Sequence, residues 1–358
     1  MLLSLSSTNR IYGTYAIFAV LVILILTRLF LICSGDLLNC SALMERGEKE
    51  TLTGKYCPIC NKYRQNIAVK IRSILPSPHS ELLLGTTLGI NDLKTIPRFN
   101  DVLVSTGTIH VVVVSGYNIS LVFNHVSNLL KKANSKTRLF ITQIIAVIYA
   151  LMSGFEPPVL RALLMVSVIF WVRFLGRNVN ITAVLLLTGL VMLAFNPLYL
   201  FDLSFQLSFM ATLGLVLFSD LFETYLSSYL GENVVVSDFC ASLSAQILVT
   251  PLISHAFGRI SLLSALVNSI VLWLIPLITS IGMLAVIGIL IHKLVGKIFV
   301  LVLLPFSLLF VNILEFVDKI FSITLPLQIS KDTLIMYYML VGVIAWYSGR
   351  KPRNKETE

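Results

Sequence analysis

Charged residues are scarce in this chain of 358 residues. Asp, Glu, Lys and Arg together make up 13% of it, whereas a soluble domain usually carries about 25%. Hydrophobic residues make up 56%, and the mean hydropathy is +0.88. The apolar runs are continuous and about 16 to 22 residues long, which favours spanning helices over the alternating strands of a β-barrel. The sequence therefore predicts an all-α, polytopic integral membrane bundle.

The chain also lacks the common short motifs of catalysis. It contains no G-x-S-x-G elbow, no H-E-x-x-H, no GxxxxGK[ST] loop and no histidine pair with metal-ligand spacing. These absences argue against a hydrolytic serine, a zinc centre and a nucleotide-driven motor. We therefore expect no cofactor, no metal and no enzymatic activity.

Several apolar runs could cross a membrane, and Lys and Arg in the short connections indicate the orientation. Residues 131–138 hold four basic side chains, which places this connection in the cytoplasm. Alternation then places both termini in the cytoplasm, although 220–238, which should also lie inside, carries only acids. The predicted crossings are 14–33, 101–123, 138–153, 159–173, 180–195, 204–219, 239–256, 261–292, 297–316 and 333–348.

This topology divides the chain into four parts. They are an N-terminal transmembrane anchor (1–33), a short extracytoplasmic segment (34–100), a membrane domain (101–348) and a cytoplasmic tail (349–358). The extracytoplasmic segment is net positive, with nine Lys and Arg residues against six acids. Its charge could attract an anionic substrate, but it equally serves topology and anionic lipid. The basic residues in question are Lys62, Arg64, Lys70 and Arg72.

Two further features of this segment carry predictions. From Ser77 to Leu88 the pattern suggests an amphipathic helix at the membrane interface, with Glu81 on its polar side. Cys57 and Cys60 could form half of a zinc site, but no second CxxC or suitable histidine pair accompanies them. Outside the cytoplasm a disulfide is the better explanation. Its candidate cysteines are Cys40, Cys57 and Cys60, with the connectivity left open.

The crossing at 261–292 is unusually long. As one helix it would measure about 48 Å, and Pro276 lies in its middle. A broken or re-entrant helix near Pro276 and a simple proline kink both fit this pattern.

The stretch TGTIHVVVVSGYNISLVFNH is apolar enough for a membrane, yet it contains polar groups that cost free energy there. His110 and Asn118 are eight residues apart and lie roughly on one face of a helix. Ser115 and Gly116 would let two backbones approach closely or let the helix break. A lone membrane histidine is usually a packing residue, but this cluster points modestly toward function.

Further polar residues lie in the following runs. Arg161 is about one turn into a helix that EPP begins, and Glu156 is five residues earlier. The arginine could snorkel outward, pair with an acid or line a polar path. Asp202 and Gln206 share a helical face, although Asp202 also suits an N-cap. A helix–helix hydrogen bond would explain Gln206.

Five segments resemble, in order, motifs of the ComEC competence-channel family, which carries single-stranded DNA across the bacterial inner membrane. TGTIHVVVVSGYNISLV is similar to the family's T-G-x-x-H-[apolar]4-S-G-x-x-[apolar] signature. Five collinear motifs, spread over roughly residues 70 to 280, are far more specific than one. The other four are ILPSPHSELLLGTTLGI, SGFEPPVLRALLM, NPLYLFDLSFQLSFMATLGL and AQILVTPLISHAFGRISLLSALVNSIVLWLIP.

This resemblance implies that residues 101–348 form an inner-membrane channel for single-stranded DNA during natural transformation. The polar residues named above nearly all fall on its motifs, and Asn268 is added, whereas Asn118 departs from the histidine often found at its position. The expected path-lining residues are His110, Ser115, Gly116, Asn118, Glu156, Arg161, Asp202, Gln206 and Asn268.

The resemblance also implies partners besides DNA and membrane lipid. Residues 34–70 are too short for the OB-like domain that family members often carry, and no H-x-H-x-D-H of a metallo-β-lactamase-like nuclease is present. We therefore expect a separate nuclease and a cytoplasmic ATPase or helicase that pulls the strand. A DNA-receptor protein is expected on the outer face, and a homo-oligomer is left open.

Two other functions compete with the channel. A small-solute secondary transporter would suit a broken helix at 261–292, but no inverted repeat supports it. An intramembrane hydrolase or transferase would use His110 with Ser115 or Asp202. A separation of five residues is poor for a helical pair, however, and nothing in the sequence orients the two groups. The channel is the preferred function.

Overall fold

The computed structural model describes residues 58–348, except 91, 113, 232, 262, 322 and 323. Within this part the chain is almost entirely helical, with two strands of two residues each. This confirms the predicted all-α class. Four predicted features lie outside the described residues, namely the crossing 14–33, Cys40, Cys57 and the tail 349–358.

The helices are numbered here in chain order. They are α1 (Pro58–Arg72), α2 (His79–Leu88), α3 (Pro97–Ser105), α4 (Ile109–Val112), α5 (Gly116–Leu129), α6 (Ser135–Met152), α7 (Pro157–Phe174), α8 (Ile181–Phe195), α9 (Leu203–Leu230), α10 (Val234–Phe257), α11 (Ser264–Val271), α12 (Leu274–Ile291), α13 (Lys293–Phe321) and α14 (Lys331–Ser348). Short 3-10 helices span Leu93–Thr95 and Pro197–Phe201. Strands β1 (Ile260–Ser261) and β2 (Thr324–Leu325) pair antiparallel, with Ile260 opposite Leu325.

Six of the described helices are long and apolar enough to cross a membrane, namely α6, α7, α9, α10, α12 and α13. Each overlaps a predicted crossing, as expected of a helical membrane bundle. The apolar helix α8 has only 15 residues. The helix α14 covers the predicted crossing 333–348 but is not among the six.

The predicted crossing at 101–123 is wrong as a single helix, because the chain there is divided among α3, α4 and α5. Gly107 follows α3 with a φ of +72°, in the left-handed region that commonly ends a helix. Ser115 precedes α5 in an extended conformation. These two interruptions leave α4 only four residues long.

The helical run within 261–292 is interrupted because of Pro276. A proline has no N–H for the carbonyl four residues earlier, here that of Leu272, and its ring crowds the same carbonyl. The Ile275 N–H bonds the Leu272 carbonyl instead, at 3.1 Å. Leu272 and Trp273 keep right-handed helical dihedral angles between α11 and α12. The interruption is therefore a proline-induced junction, four residues before the proline itself.

The chain divides into two compact units. Unit 1 contains described residues 58–70, 87–90 and 114–209. In it α5, α6 and α7 pack round a shared apolar core in which small residues, such as Ala146 and Ala162, allow close approach. A second cluster joins α7, α8 and the start of α9 through Met192, Tyr199, Phe205 and their neighbours.

Unit 2 contains the remaining described residues, 71–86, 92–112 and 210–348, so that residues 79–86 of α2 belong to it. Its α2 corrects a prediction, because all ten residues of this helix are buried and it is not an interfacial amphipathic helix. A Cβ atom on Gly85 would lie 2.2 Å from the Val112 carbonyl oxygen, so α2 and α4 touch through their backbones. Gly296 gives α12 and α13 a similarly close contact, since its Cβ would lie 2.2 Å from Ile289 Cγ1.

Candidate functional site

Arg161 lies in the second turn of the membrane-spanning helix α7. Its guanidinium donates through Nη1 to the Ser208 carbonyl on α9. Its Cζ lies 5.9 Å from the centre of the Phe209 ring, within the range of a cation–π contact. The half-buried side chain therefore reaches across to a neighbouring helix and does not snorkel along its own.

Gly116 begins α5 directly beside this guanidinium. A Cβ atom built on Gly116 would lie 2.8 Å from Arg161 Nη2, 3.0 Å from Ala162 Cβ and 3.4 Å from the Pro158 carbonyl oxygen. Any side chain at position 116 would therefore displace the guanidinium or push α5 away from α7. The glycine makes possible the close helix approach in which the arginine lies.

Two other residues of the same motif have different surroundings. Asn118 is buried, and its side chain lies near the Tyr149 hydroxyl on α6. Ser115 is half-buried at the N-cap of α5 and makes no side-chain capping bond. Asn118 thus lies enclosed beside α6, whereas the Ser115 hydroxyl is not used to start its own helix.

Glu156 follows a turn in which two residues have positive φ angles. Gly154 has a φ of +98° and Phe155 a φ of +51°, both in the left-handed region that a phenylalanine rarely adopts. Burial raises the pKa of Glu156, and the Asp202 carboxylate raises it further, while Arg64 opposes the rise. Glu156 therefore keeps its proton to a higher pH than an exposed glutamate.

Arg64 lies inside unit 1 and is only 3% exposed. Its Nη2 donates to the Leu88 carbonyl at 2.8 Å and to the Gly89 carbonyl at 3.3 Å. A Cβ on Gly154 would lie 3.1 Å from the same nitrogen. Burial lowers the pKa of Arg64, and the nearby Glu156 raises it. The guanidinium of Arg64 is thus hydrogen-bonded inside the unit, which does not favour the expected role of this residue in attracting DNA.

The other three basic residues of this group differ from one another. Arg72 pairs with Glu81, at 3.2 Å between Nε and Oε1, and with Asp92. Its charge is therefore compensated within unit 2. Lys62 and Lys70 are exposed on α1.

Asp202 and Gln206 both serve the turn that begins α9. The Asp202 carboxylate accepts a hydrogen bond from the Phe205 N–H at 2.9 Å, which is the N-cap contact that the sequence allowed. The Gln206 amide donates to the Leu200 carbonyl at 2.7 Å, in the preceding 3-10 helix. Gln206 therefore makes a local contact here in place of the expected helix–helix bond.

His110 and Asn268 belong to unit 2. His110 is exposed on the short helix α4. Asn268 is 4% exposed on α11, and its Oδ1 has no hydrogen-bond partner among the described residues. The turn before α4 touches the start of α11, because a Cβ on Gly107 would lie 2.3 Å from Ser264 Cβ.

Sequence reasoning missed several partners of these residues. Ser208 contributes a backbone carbonyl, which every residue possesses, so no sequence signal marks it. Phe209 and Tyr149 are ordinary aromatic residues of apolar helices. Gly154 did carry a signal, because a glycine before a short Phe-Glu-Pro turn often needs a positive φ.

The described part of the chain contains two cysteines, Cys60 and Cys240. Cys60 is disulfide-bonded. Cys240 is a buried free thiol on α10. In the described part of the chain, no three His, Cys, Asp or Glu side chains lie where they could hold a metal ion.

The chain is similar to several known proteins. The Competence protein family matches residues 88–351. ComE operon protein 3 of Bacillus subtilis (strain 168) is 28% identical over 218 residues, which are 57% of this chain and 26% of that protein. An uncharacterized protein of Aquifex aeolicus (strain VF5) is 32% identical over 182 residues, 46% of this chain and 43% of that protein.

A third relative, the uncharacterized protein YcaI of Escherichia coli (strain K12), is 26% identical over 253 residues, 65% of this chain and 33% of that protein. The chain thus spans less than half the length of these relatives. No solved structure matches it. The family match covers most of the chain, including α3 to α14 and every predicted path-lining residue. On this match, the chain belongs to the Competence protein family.

Proposed function

We propose that the chain is the inner-membrane channel through which single-stranded DNA enters the cytoplasm during natural transformation. The observation that carries the proposal is the position of Arg161. A charge in a membrane-spanning helix costs on the order of 2.5–3.5 kcal/mol on insertion scales, so it needs a purpose. This guanidinium contacts the Ser208 carbonyl and the Phe209 ring, in a chain of the Competence protein family.

The chemistry of this place suits a nucleic-acid strand. A guanidinium can donate two parallel hydrogen bonds to a phosphate, and an aromatic ring offers a base a stacking surface that tolerates any sequence. Arg161 and Phe209 supply these two groups side by side and are both half-buried. The remaining proposed lining residues of unit 1 are Ser115, Gly116, Asn118, Glu156, Asp202 and Gln206, and those of unit 2 are His110 and Asn268.

The exposed lysines of α1 supply the proposed entrance. Lys62 and Lys70 would attract the phosphate backbone at the extracytoplasmic face, and both termini would lie in the cytoplasm. The proposal requires a DNA receptor on the outer face, a separate nuclease and a cytoplasmic ATPase or helicase for directional pulling. Assembly as a homo-oligomer is compatible with it.

The test is uptake of labelled DNA in a strain that lacks the host gene and carries this chain. Arg161→Lys should abolish or strongly reduce uptake, because an ammonium cannot reproduce forked contacts. Arg173→Lys is the matched control, since Arg173 is exposed in the last turn of the same helix. Membrane abundance is measured in parallel. Full uptake with Arg161→Lys, or equal losses with both variants, would contradict the proposal.

A further inference from the structure

A cavity of about 380 Å³ lies between α3 and the end of α13 in unit 2. Its volume is within the range of small-ligand sites. It is lined by Arg98, Asp101, Val102, Glu315, Asp318 and Lys319. Five of these six residues are charged, which is unusual in a chain with so few charged residues. None of the groups proposed for the DNA path belongs to this cavity.

Among the described residues, the charged residues of the lining form no ion pairs with one another. The ion pairs of Arg72 with Glu81 and Asp92 lie elsewhere. Asp318 accepts a hydrogen bond from Ser105. Two cations and three carboxylates therefore face one cavity while they stay more than ion-pairing distance apart. A ligand that carries charges of both signs would complement such a cavity.

When α13 crosses a bilayer, its length would carry the end that lines the cavity beyond the hydrocarbon core. The helix α13 has 29 residues and is about 43 Å long, whereas the hydrocarbon core of a bilayer is about 30 Å thick. Glu315, Asp318 and Lys319 belong to its last two turns, which extend toward the headgroups. On the same turns Phe316 is 62% and Ile320 54% exposed, so acyl chains would have apolar side chains to contact.

We propose that this cavity binds the headgroup of phosphatidylethanolamine. Arg98 and Lys319 would bind the phosphate, and the primary ammonium would donate its three N–H groups to Asp101, Glu315 and Asp318. Choline offers no N–H donor, and the described lining contains no aromatic ring of the kind that binds quaternary ammonium groups. A nucleic-acid phosphate is disfavoured, because the three carboxylates outnumber the two cations.

The first test uses the unaltered full chain in nanodiscs, so it does not depend on the folding of a variant. Binding of labelled lipid is compared for phosphatidylethanolamine, its monomethyl and dimethyl derivatives and phosphatidylcholine, in an excess of phosphatidylglycerol. Each methyl group removes one N–H donor and leaves the positive charge. Affinity should fall stepwise along this series, by about tenfold or more in total. Equal affinity for all four lipids would overturn the proposal.

The second test removes the carboxylates. Asp101→Asn and Glu315→Gln should each weaken phosphatidylethanolamine binding several-fold, with little change for phosphatidylglycerol. Glu223→Gln is the matched control, because it removes an exposed carboxylate near the end of another spanning helix, α9. Unchanged binding in both cavity variants would overturn the assignment. DNA uptake does not enter either measurement, so a failure of the channel proposal would be distinguishable.

Discussion

The guanidinium of Arg161 fills the space that a side chain at position 116 would need. An ideal Cβ on Gly116 would lie only 2.8 Å from Arg161 Nη2, so a larger residue at position 116 would change the position of the guanidinium. One residue sets the distance between α5 and α7, and the other places a positive charge in the gap. The pairing therefore brings one residue of TGTIHVVVVSGYNISLV into contact with one residue of SGFEPPVLRALLM.

Substitution of Gly116 should therefore damage function according to size. Gly116→Ala should reduce DNA uptake and Gly116→Leu should abolish it, because each added atom displaces the guanidinium or separates the two helices. Gly342→Ala is the control, since a Cβ at Gly342 meets nothing within 4 Å. In a helix that change should be neutral or stabilising by up to about 1 kcal/mol. Normal uptake with Gly116→Leu at normal membrane abundance would contradict the pairing.

The entrance proposal predicts a change in salt dependence. If Lys62 and Lys70 each contact a phosphate, Lys62→Gln with Lys70→Gln should reduce the slope of log K against log salt by about 1.4 for single strands. Binding of labelled oligonucleotide to the purified chain measures this slope. Lys293→Gln with Lys297→Gln, two exposed positions on α13, provides the control. An unchanged slope would leave the α1 lysines as topology or lipid contacts.

Glu156 should make the stability of the fold depend on pH. Its folded-state pKa is raised, first by burial and then by Asp202, so its favourable contribution is complete below the pKa of an unfolded glutamate. That contribution is lost as the pH rises through the raised folded-state pKa. Glu156→Gln stays neutral, and its thermal midpoint should therefore gain on that of the wild type over this interval. A pH-independent difference between the two proteins would refute the burial of a protonated Glu156.

A proline and a tyrosine in unit 2 should show strong coupling. Pro251 leaves the Ile247 carbonyl of α10 without its intrahelical donor. The Tyr337 hydroxyl on α14 donates to this carbonyl at 2.9 Å, and Tyr338 donates to the Leu248 carbonyl at 2.6 Å. Tyr337→Phe should therefore lower the free energy of unfolding by about 1 kcal/mol, because a half-buried carbonyl loses its partner.

A double-mutant cycle isolates this effect. In a Pro251→Ala background the new N–H can bond the Ile247 carbonyl, so Tyr337→Phe should cost much less there. Tyr225→Phe, at an exposed tyrosine, should be nearly silent in both backgrounds. Equal costs of Tyr337→Phe in the two backgrounds would show that the hydroxyl does not compensate for the proline.

The sequence predicts those structural features that depend on neighbouring residues in the chain. Hydropathy locates the long spanning helices. Pro276 predicts either a break or a kink in 261–292, and the structure has a junction at Leu272 and Trp273, where the helical dihedral angles are kept. Asp202 as an N-cap is also local. The burial of Arg64 could not be predicted in this way. It depends on the carbonyls of Leu88 and Gly89, which only the tertiary fold brings to α1.

The same limit explains the error at α2. Ten residues with one acid and several leucines fit an interface as well as an interior, so composition alone does not distinguish the two. In the structure α2 lies in backbone contact with Val112 through Gly85, and Glu81 is tolerated inside because Arg72 pairs with it. The partners of Arg161 are likewise a backbone carbonyl and one phenylalanine among 21, which no pattern singles out.

The most direct measurement of the central claim asks whether DNA occupies the space beside Gly116. Ser115→Cys should preserve uptake, since a half-buried hydroxyl that caps no helix contributes little. During uptake of a strand stalled by a bulky terminal block, reaction of the introduced thiol with N-ethylmaleimide should slow several-fold. Leu129→Cys, at a position 84% exposed in the last turn of α5, should react at the same rate with and without DNA. Equal reactivity of the thiol at position 115 with and without a stalled strand, in a variant that still takes up DNA, would contradict the account.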